Sequence, residues 1–485
     1  MSEQISMGLS FDDVLLVPQK SSILPADADL SSKLTRDLKL NLPILSSAMD
    51  TVTESRLAIH LAREGGMGVV HRNCTVKEQA NMVRIVKRSE NIVIDNPETV
   101  SPDCNIGGLK QQLSGSGFSG FPVVDGKGIL KGMVTRRDIW FIEDEKLKVK
   151  DVMTPLDKLI TGEIGYSLED AKTILYEHRI EKLPLVNKKG KLVGLMTSAD
   201  IEKRMMYQNA CKDESGHLRV GGAVGVAKDS MTRAEALVEA ECDALFIDAA
   251  TGHTDRVIKL IGRLKSKFPE TPVVAGNVVT RDGAADLIDA GADAIKAGVG
   301  PGSICTTRVV AGVGVPQFTA IQNAAEACKE KDVPLIADGG LRYSGDVIKA
   351  LAAGADCVMI GSLFAGTEES PGSTVRWQGR AYKEYRGMGS VSAMRAGASD
   401  RYGQNASGKL VPEGVEARVP YKGPIHALIY QLMGGVRSGM GYVGAKNIAD
   451  LQAKARFVRI TDGGLKESHP HDITITEEPI NYPSM

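Results

Sequence analysis

From residue 43 onward the chain alternates short apolar runs with amphipathic stretches. The runs are residues 43–49 (PILSSAM), 67–71 (MGVVH), 220–227 (VGGAVGVA), 244–249 (ALFIDA), 272–277 (PVVAGN), 294–299 (AIKAGV), 334–338 (PLIAD) and 357–361 (CVMIG). Helical spacing follows them, as at 55–63, 233–239, 255–265, 283–289, 322–329 and 345–352. Strand–helix units without hairpin turns predict a parallel α/β sheet, and eight of them close a (β/α)8 barrel of the TIM type. Three segments share one pattern leading into a strand: Cys242-Asp243-Ala244-Leu245, Ala292-Asp293-Ala294-Ile295 and Ala355-Asp356-Cys357-Val358. Glycine precedes the last two, at Gly291 and Gly354, as expected just past a helix end. A doubly wound open sheet is the alternative. It is disfavoured because no G-x-G-x-x-G follows the first run.

The rhythm breaks between residues 91 and 204, and this interruption carries its own repeat. Residues 121–139 (FPVVDGKGILKGMVTRRDI) align without gaps on 183–201 (LPLVNKKGKLVGLMTSADI), placing Gly132 on Gly194, Thr135 on Thr197 and Asp138 on Asp200. Each copy reads as a β-hairpin followed by a helix opened by Thr or Ser. The expected organisation is a barrel split into residues 1–90 and 205–485, with an inserted domain at 91–204. Residues 376–424 are rich in Gly, Ser, Arg and Tyr with little apolar periodicity, the pattern of a lid or binding loop, or else of a disordered segment. After Ala445 one helix and a tail are expected.

Composition narrows the function classes. In 485 residues the net charge is −1 and aromatics are 5%, which speaks against a nucleic-acid partner. The seven cysteines are scattered without C-x-x-C, which points to free thiols in a reducing compartment. No apolar run approaches membrane-spanning length, so no membrane partner and a cytoplasmic location are expected.

Chemistry gathers where the barrel would place it, at the C-terminal ends of the strands. Residues 297–308, AGVGPGSICTTR, free the backbone at Gly298, Gly300 and Gly302 and set Cys305 among Ser303, Thr306 and Thr307. That is a plausible activated nucleophile; an ordinary βα loop is the alternative. Ser46, Ser47, Met49 and Asp50 follow the first strand, and Asp248, Thr251, Gly252 and His253 the fourth. Asn277 follows the fifth. Gly339 and Gly340, then Gly361 and Ser362, follow the last two strands, where this fold cradles phosphate. Asp338 beside them suits a ribose diol. His253 and Glu413 are the residues whose chemistry nominates a general base.

These motifs together resemble the IMP dehydrogenase family, bacterial type. The resemblance rests on FDDVLLVP (11–18), SSAMDTVTE (46–54), AGNVVT (275–280), GPGSICTTR (300–308), ADGG (337–340), YRGMGS (385–390), RYGQ (401–404) and PEGVE (412–416), and spans nearly the whole chain. The insert resembles a tandem CBS pair, modules that often bind adenine nucleotides; a purely structural insert is the alternative. The resemblance implies oxidation of IMP to XMP by NAD+ through a covalent intermediate on Cys305, with Thr307, Arg401 and Tyr402 also catalytic. Arg401 would be the base that activates water, although a free guanidinium stays protonated at ordinary pH. Ser303, Gly339, Gly340, Gly361, Ser362 and Tyr385 would hold the phosphate and Asp338 the ribose. Arg386, Gly387, Met388, Gly389 and Glu413 would meet the base, with Ser47 and Met49 lining the pocket. Asp248, Asn277, Gly298, Val299 and Gly300 would face NAD+. A potassium ion would sit on carbonyls of Gly300, Gly302 and Cys305, completed by Glu467, Ser468 and His469 of a neighbouring subunit in a homotetramer. The CBS pair would take an adenine or guanine nucleotide. Two rivals remain: a GMP reductase-like barrel, most of which lack the insert, and a nucleotide-sensing protein whose barrel is a relic.

Overall fold

The computed structural model describes residues 5–89, 93–94, 97–116, 119–163, 166, 168–199, 201–202, 207–404, 408–479 and 481–482. The chain divides into two compact units, residues 1–89 with 209–485, and residues 90–208.

The first unit is a closed barrel of eight parallel strands. These are β1 (Ile44–Ser46), β2 (Met67–Val70), β3 (Val220–Val224), β4 (Ala244–Ile247), β5 (Val273–Val278), β6 (Ala294–Ala297), β7 (Leu335–Asp338) and β8 (Cys357–Ile360), joined in chain order around the ring. The helices between them are α1 (Ser55–Glu64), α2 (Val76–Arg88), α3 (Ser230–Glu239), α4 (Asp255–Lys267), α5 (Arg281–Asp289), α6 (Gln317–Glu330) and α7 (Ser344–Ala352). The eighth, α8 (Ile425–Val443), comes only after a long excursion. Threonine hydroxyls start several of them: Thr75, Thr254 and Thr280 accept the otherwise orphaned amides of Glu78, Val257 and Gly283.

The repeated aspartate has a physical job. Asp243, Asp293 and Asp356 each stand one residue before an even-numbered strand. Their carboxylates accept the first amides of the preceding strands, from Val220, Val273 and Leu335, at 2.8, 2.7 and 2.8 Å. Each thereby pins β4 to β3, β6 to β5 and β8 to β7. At the N-terminal end, a hairpin of residues 32–33 and 39–40 plugs the barrel. Its Leu34, Leu38 and Leu40 join Met67, Phe246, Val274, Ile336 and Met359 in one buried core.

The excursion differs from expectation. Residues 376–424 are not irregular throughout, because Thr374–Trp377, Arg380–Arg386 and Glu416–Pro420 form an antiparallel sheet. Most of its side chains are exposed or half-buried, so apolar alternation is faint. Among the described residues, 387–404 and 408–415 form the loop proper, with short helical turns at Val391–Arg395 and Ala398–Tyr402. Among the described residues the C-terminal region holds two helices, Ile448–Lys454 and Asp462–Glu467, where one was expected. Between them Phe457–Arg459 pairs with Val14–Leu16 near the N-terminus.

The second unit is a duplication in space as in sequence. Gly120–Val124 pairs with Leu130–Thr135, and Lys182–Val186 with Leu192–Thr197, in matching antiparallel registers with the same irregularity in each. The hairpin turns exchange reciprocal bonds: Leu130 N–H donates to Gly190 and Leu192 N–H to Gly128, both at 3.1 Å. Each half has its own apolar cluster, one around Ile106, Leu109 and Phe121, the other around Ala171, Leu183 and Met196. Asp200, aligned above with Asp138, and the expected borders Asn91 and Arg204 lie outside the described residues. Among the described residues no helix is long and apolar enough to cross a membrane.

Candidate active site

The C-terminal mouth of the barrel opens into a cavity of about 380 Å³, within the range of small-ligand sites. Of the seven cysteines only Cys305 lines it. Burial pushes the thiols of Cys211, Cys242 and Cys328 up to about 12, which leaves them inert. Cys305 is half-buried, with Sγ 3.2 Å from Thr307 Oγ1. Its loop is held from two sides. The Cys305 amide donates to Gly302 O at 3.0 Å, and Thr306 and Val415 amides tie the loop to Glu413 and Ile304 carbonyls. Arg308 clasps the ends, donating to Val299 O at 3.0 Å and Val315 O at 2.6 Å. Gly300 (φ +73°) is required there twice over, since a Cβ would stand 2.7 Å from Arg308 Cγ.

Ser47, Met49, Ser303, Asp338, Gly339, Gly340, Gly361, Ser362, Tyr385, Gly387, Met388, Gly389 and Glu413 all line the same cavity, as do Asp248, Asn277, Gly298, Val299, Gly300, Gly302, Thr307, Arg401 and Tyr402. A Cβ on Gly361 would lie 3.1 Å from the Tyr385 hydroxyl and 3.4 Å from Ser47 Oγ, so these groups converge on bare backbone. Arg386 stands outside the lining. It grips Asp50, which also accepts from Asn73 at 2.6 Å, and so anchors the 387–389 strip to the loop after β1.

At the centre lies a buried charge network. Asp248 bonds Arg401 through Oδ1 and Arg72 through Oδ2, the latter at 3.2 Å. Arg72 reaches on to Asp400 at 3.0 Å. Burial opposes ionisation of Asp248, but Arg401, Arg72 and Lys296 outweigh it and hold the carboxyl below the usual carboxylate range. Burial likewise disfavours charge on Arg401, and Asp248 overcomes it, pushing the guanidinium further up. In this arrangement Asp248 favours the charged form of Arg401, which works against the general-base role expected for it. His253 is not at the site either. It bonds Asp286 at 2.7 Å on the outer surface.

His469 in the tail contacts Tyr482, Nδ1 to hydroxyl 2.7 Å, and lies edge-on to Tyr343. Among the described residues no cluster of His, Cys, Asp and Glu could hold a metal ion. The carbonyls of the 300–305 loop are oxygen donors that suit a hard monovalent cation rather than a transition metal; that of Gly302 already accepts one bond.

Several residues here escaped the sequence reading: Arg72, Lys296, Gln317 and Asp400. Lys296 left the clearest trace, a charge inside the apolar run AIKAGV. Gln317 donates to both Ala297 O (2.9 Å) and Asp338 O (3.1 Å), bridging the ends of β6 and β7. Nothing in the local pattern of residues marked it.

The family model for the IMP dehydrogenase / GMP reductase domain matches residues 8–471. The chain is 56% identical to inosine-5′-monophosphate dehydrogenase of Aquifex aeolicus over 485 residues, 99% of each chain. It is 52% identical to that of Bacillus subtilis over 477 residues, 98% of each. Among solved structures, a GMP reductase variant from Trypanosoma brucei in complex with guanosine 5′-monophosphate superposes with a TM-score of 0.91 at 42% identity, covering 98% of this chain and 99% of that one. The fold, the cysteine loop and these matches agree, and the chain belongs to the IMP dehydrogenase / GMP reductase family.

Proposed function

We propose that this enzyme oxidises IMP to XMP with NAD+ as hydride acceptor. The observation that carries this reading is that Cys305 and the Arg401–Tyr402 turn face one cavity. A thiol alone serves either member reaction, whereas oxidation ends in hydrolysis and needs a second set of groups brought to the same carbon. The Cys305 sulfur adds to C2 of the purine and hydride leaves that carbon for NAD+. Water then replaces sulfur at C2, regenerating the thiol. Gly340, Gly361, Ser362, Ser303 and Tyr385 hold the phosphate, Asp338 takes the ribose hydroxyls, and the 387–389 strip with Glu413 reads the base.

Arg401 and a dinucleotide ribose would compete for the same carboxylate, since Asp248 already accepts from Arg401 and Arg72 in this arrangement. The lid therefore closes after NADH departs. In the closed form Arg401, paired with Asp248, acts as a cation that orients water, and Tyr402 and Thr307 stand beside the same carbon. Potassium on the Gly300, Gly302 and Cys305 carbonyls, with a neighbour's Glu467, Ser468 and His469 in a homotetramer, would hold the loop. The insert is a tandem CBS module for an adenine or guanine nucleotide.

The insert does not separate this reading from GMP reductase, since the Trypanosoma brucei GMP reductase spans it too. The assay does. NADH formation from IMP and NAD+ is expected; NADPH-dependent loss of GMP without it would overturn the proposal.

A further inference from the structure

Lys296 lies on β6 with 4% of its surface exposed, inside the barrel rather than on its rim. Its Nζ is 2.6 Å from Asn277 Oδ1 and 3.7 Å from Asp338 Oδ2. Asn277 Nδ2 in turn donates to Gly298 O and Asp338 Oδ2, both at 2.8 Å. An ammonium has only donors, so it fixes which end of the Asn277 amide faces it, and the other end must then donate. The chain Lys296–Asn277–Asp338 thus commits Oδ2 of the carboxylate to the protein and leaves Oδ1 for a ligand hydroxyl.

Burying an ammonium is costly, and a methionine of similar length would fill the space on β6 without that cost. Burial pulls the Lys296 ammonium below its usual range, while Asp338 and Asp248 act against the shift. The charge also balances the site when the lid moves. With Arg401 withdrawn, Asp248 and Asp338 still face Arg72 and Lys296, so no carboxylate is left uncompensated.

We infer that Lys296 is a positioning residue for substrate binding, orienting Asn277 and through it the Asp338 carboxylate toward the ribose diol. This rests on the reading of Asp338 given under the proposed function. The test is Lys296→Met in the full chain, assayed with IMP and with 2′-deoxy- and 3′-deoxy-IMP. The KM for IMP should rise by about tenfold or more, with a smaller change in kcat, given the worth of a hydrogen bond to a charged group. The penalty should shrink toward unity with at least one deoxy analogue, which lacks a hydroxyl for Asp338 to accept. A purely structural lesion would scale all three substrates alike. Equal losses across the three, or an unchanged KM, overturn the inference. If the methionine variant does not fold, Lys296→Leu carries the same comparison, since it likewise offers Asn277 no donor. The wild type is assayed first: no NADH from IMP there defeats the proposed function, and this inference with it.

Discussion

The barrel and the insert bury different things. Among the described residues every buried polar or charged side chain, from Ser32 to Ser399, belongs to the barrel unit. The two cores of the insert are apolar, and its halves meet through hairpin turns. Isolated charges are expensive in an interior and persist where partners or function hold them. The barrel carries Asp248, Arg72, Lys296 and Asn277 buried at one end, next to its half-buried cysteine loop. That contrast supports placing the chemistry in the barrel, with the insert as a compact unit of its own.

The sharpest way to break the comparison is Cys305→Ala. If the barrel holds a covalent mechanism, turnover falls by ~10³-fold or more while IMP still binds, as calorimetry would show. An active variant would remove the nucleophile from the account. Arg401→Ala comes next. The expected result is a stopped-flow burst of NADH near one per site, then a steady state slowed by roughly 10²- to 10⁴-fold. Loss of the burst as well would mean that Arg401 serves hydride transfer or folding.

A smaller effect is expected from the cation. Replacing potassium with tetramethylammonium should slow steady-state turnover by about tenfold as the Gly300–Cys305 loop loosens, an estimate for losing coordination that orients a reactive group. Equal rates in the two salts would show that Arg308 and the 413–415 segment suffice to hold the loop. The smallest change should follow deletion of residues 90–208 with a short linker. NADH formation should stay within about threefold of wild type, as expected for a separately folding domain. A soluble but inactive barrel would place part of the site in the insert.

Much of this architecture was legible because the residues spoke locally. The eight apolar runs fall on the eight strands, and the repeated Asp243, Asp293 and Asp356 mark strand pairs that their carboxylates join. The cysteine loop and the glycine pairs announced themselves through spacing. What stayed hidden depends on contacts distant in sequence. The pairing of Arg401 with Asp248 joins residues 153 positions apart, and it adds to the argument that the Arg401 guanidinium stays charged. Arg72 and Gln317 look like ordinary polar residues until the barrel closes. The 374–420 sheet escaped because few of its side chains are buried, so its pattern resembles a loop.

The central claim is that Cys305 forms the covalent bond to the purine. Quenching the enzyme during turnover with IMP and NAD+, then mapping its peptides by mass spectrometry, tests this most directly. The account predicts a nucleotide adduct on the peptide containing Cys305, accumulating further in Arg401→Ala. An adduct on Cys74 or Cys104 instead, or none at all while NADH is produced, would contradict it.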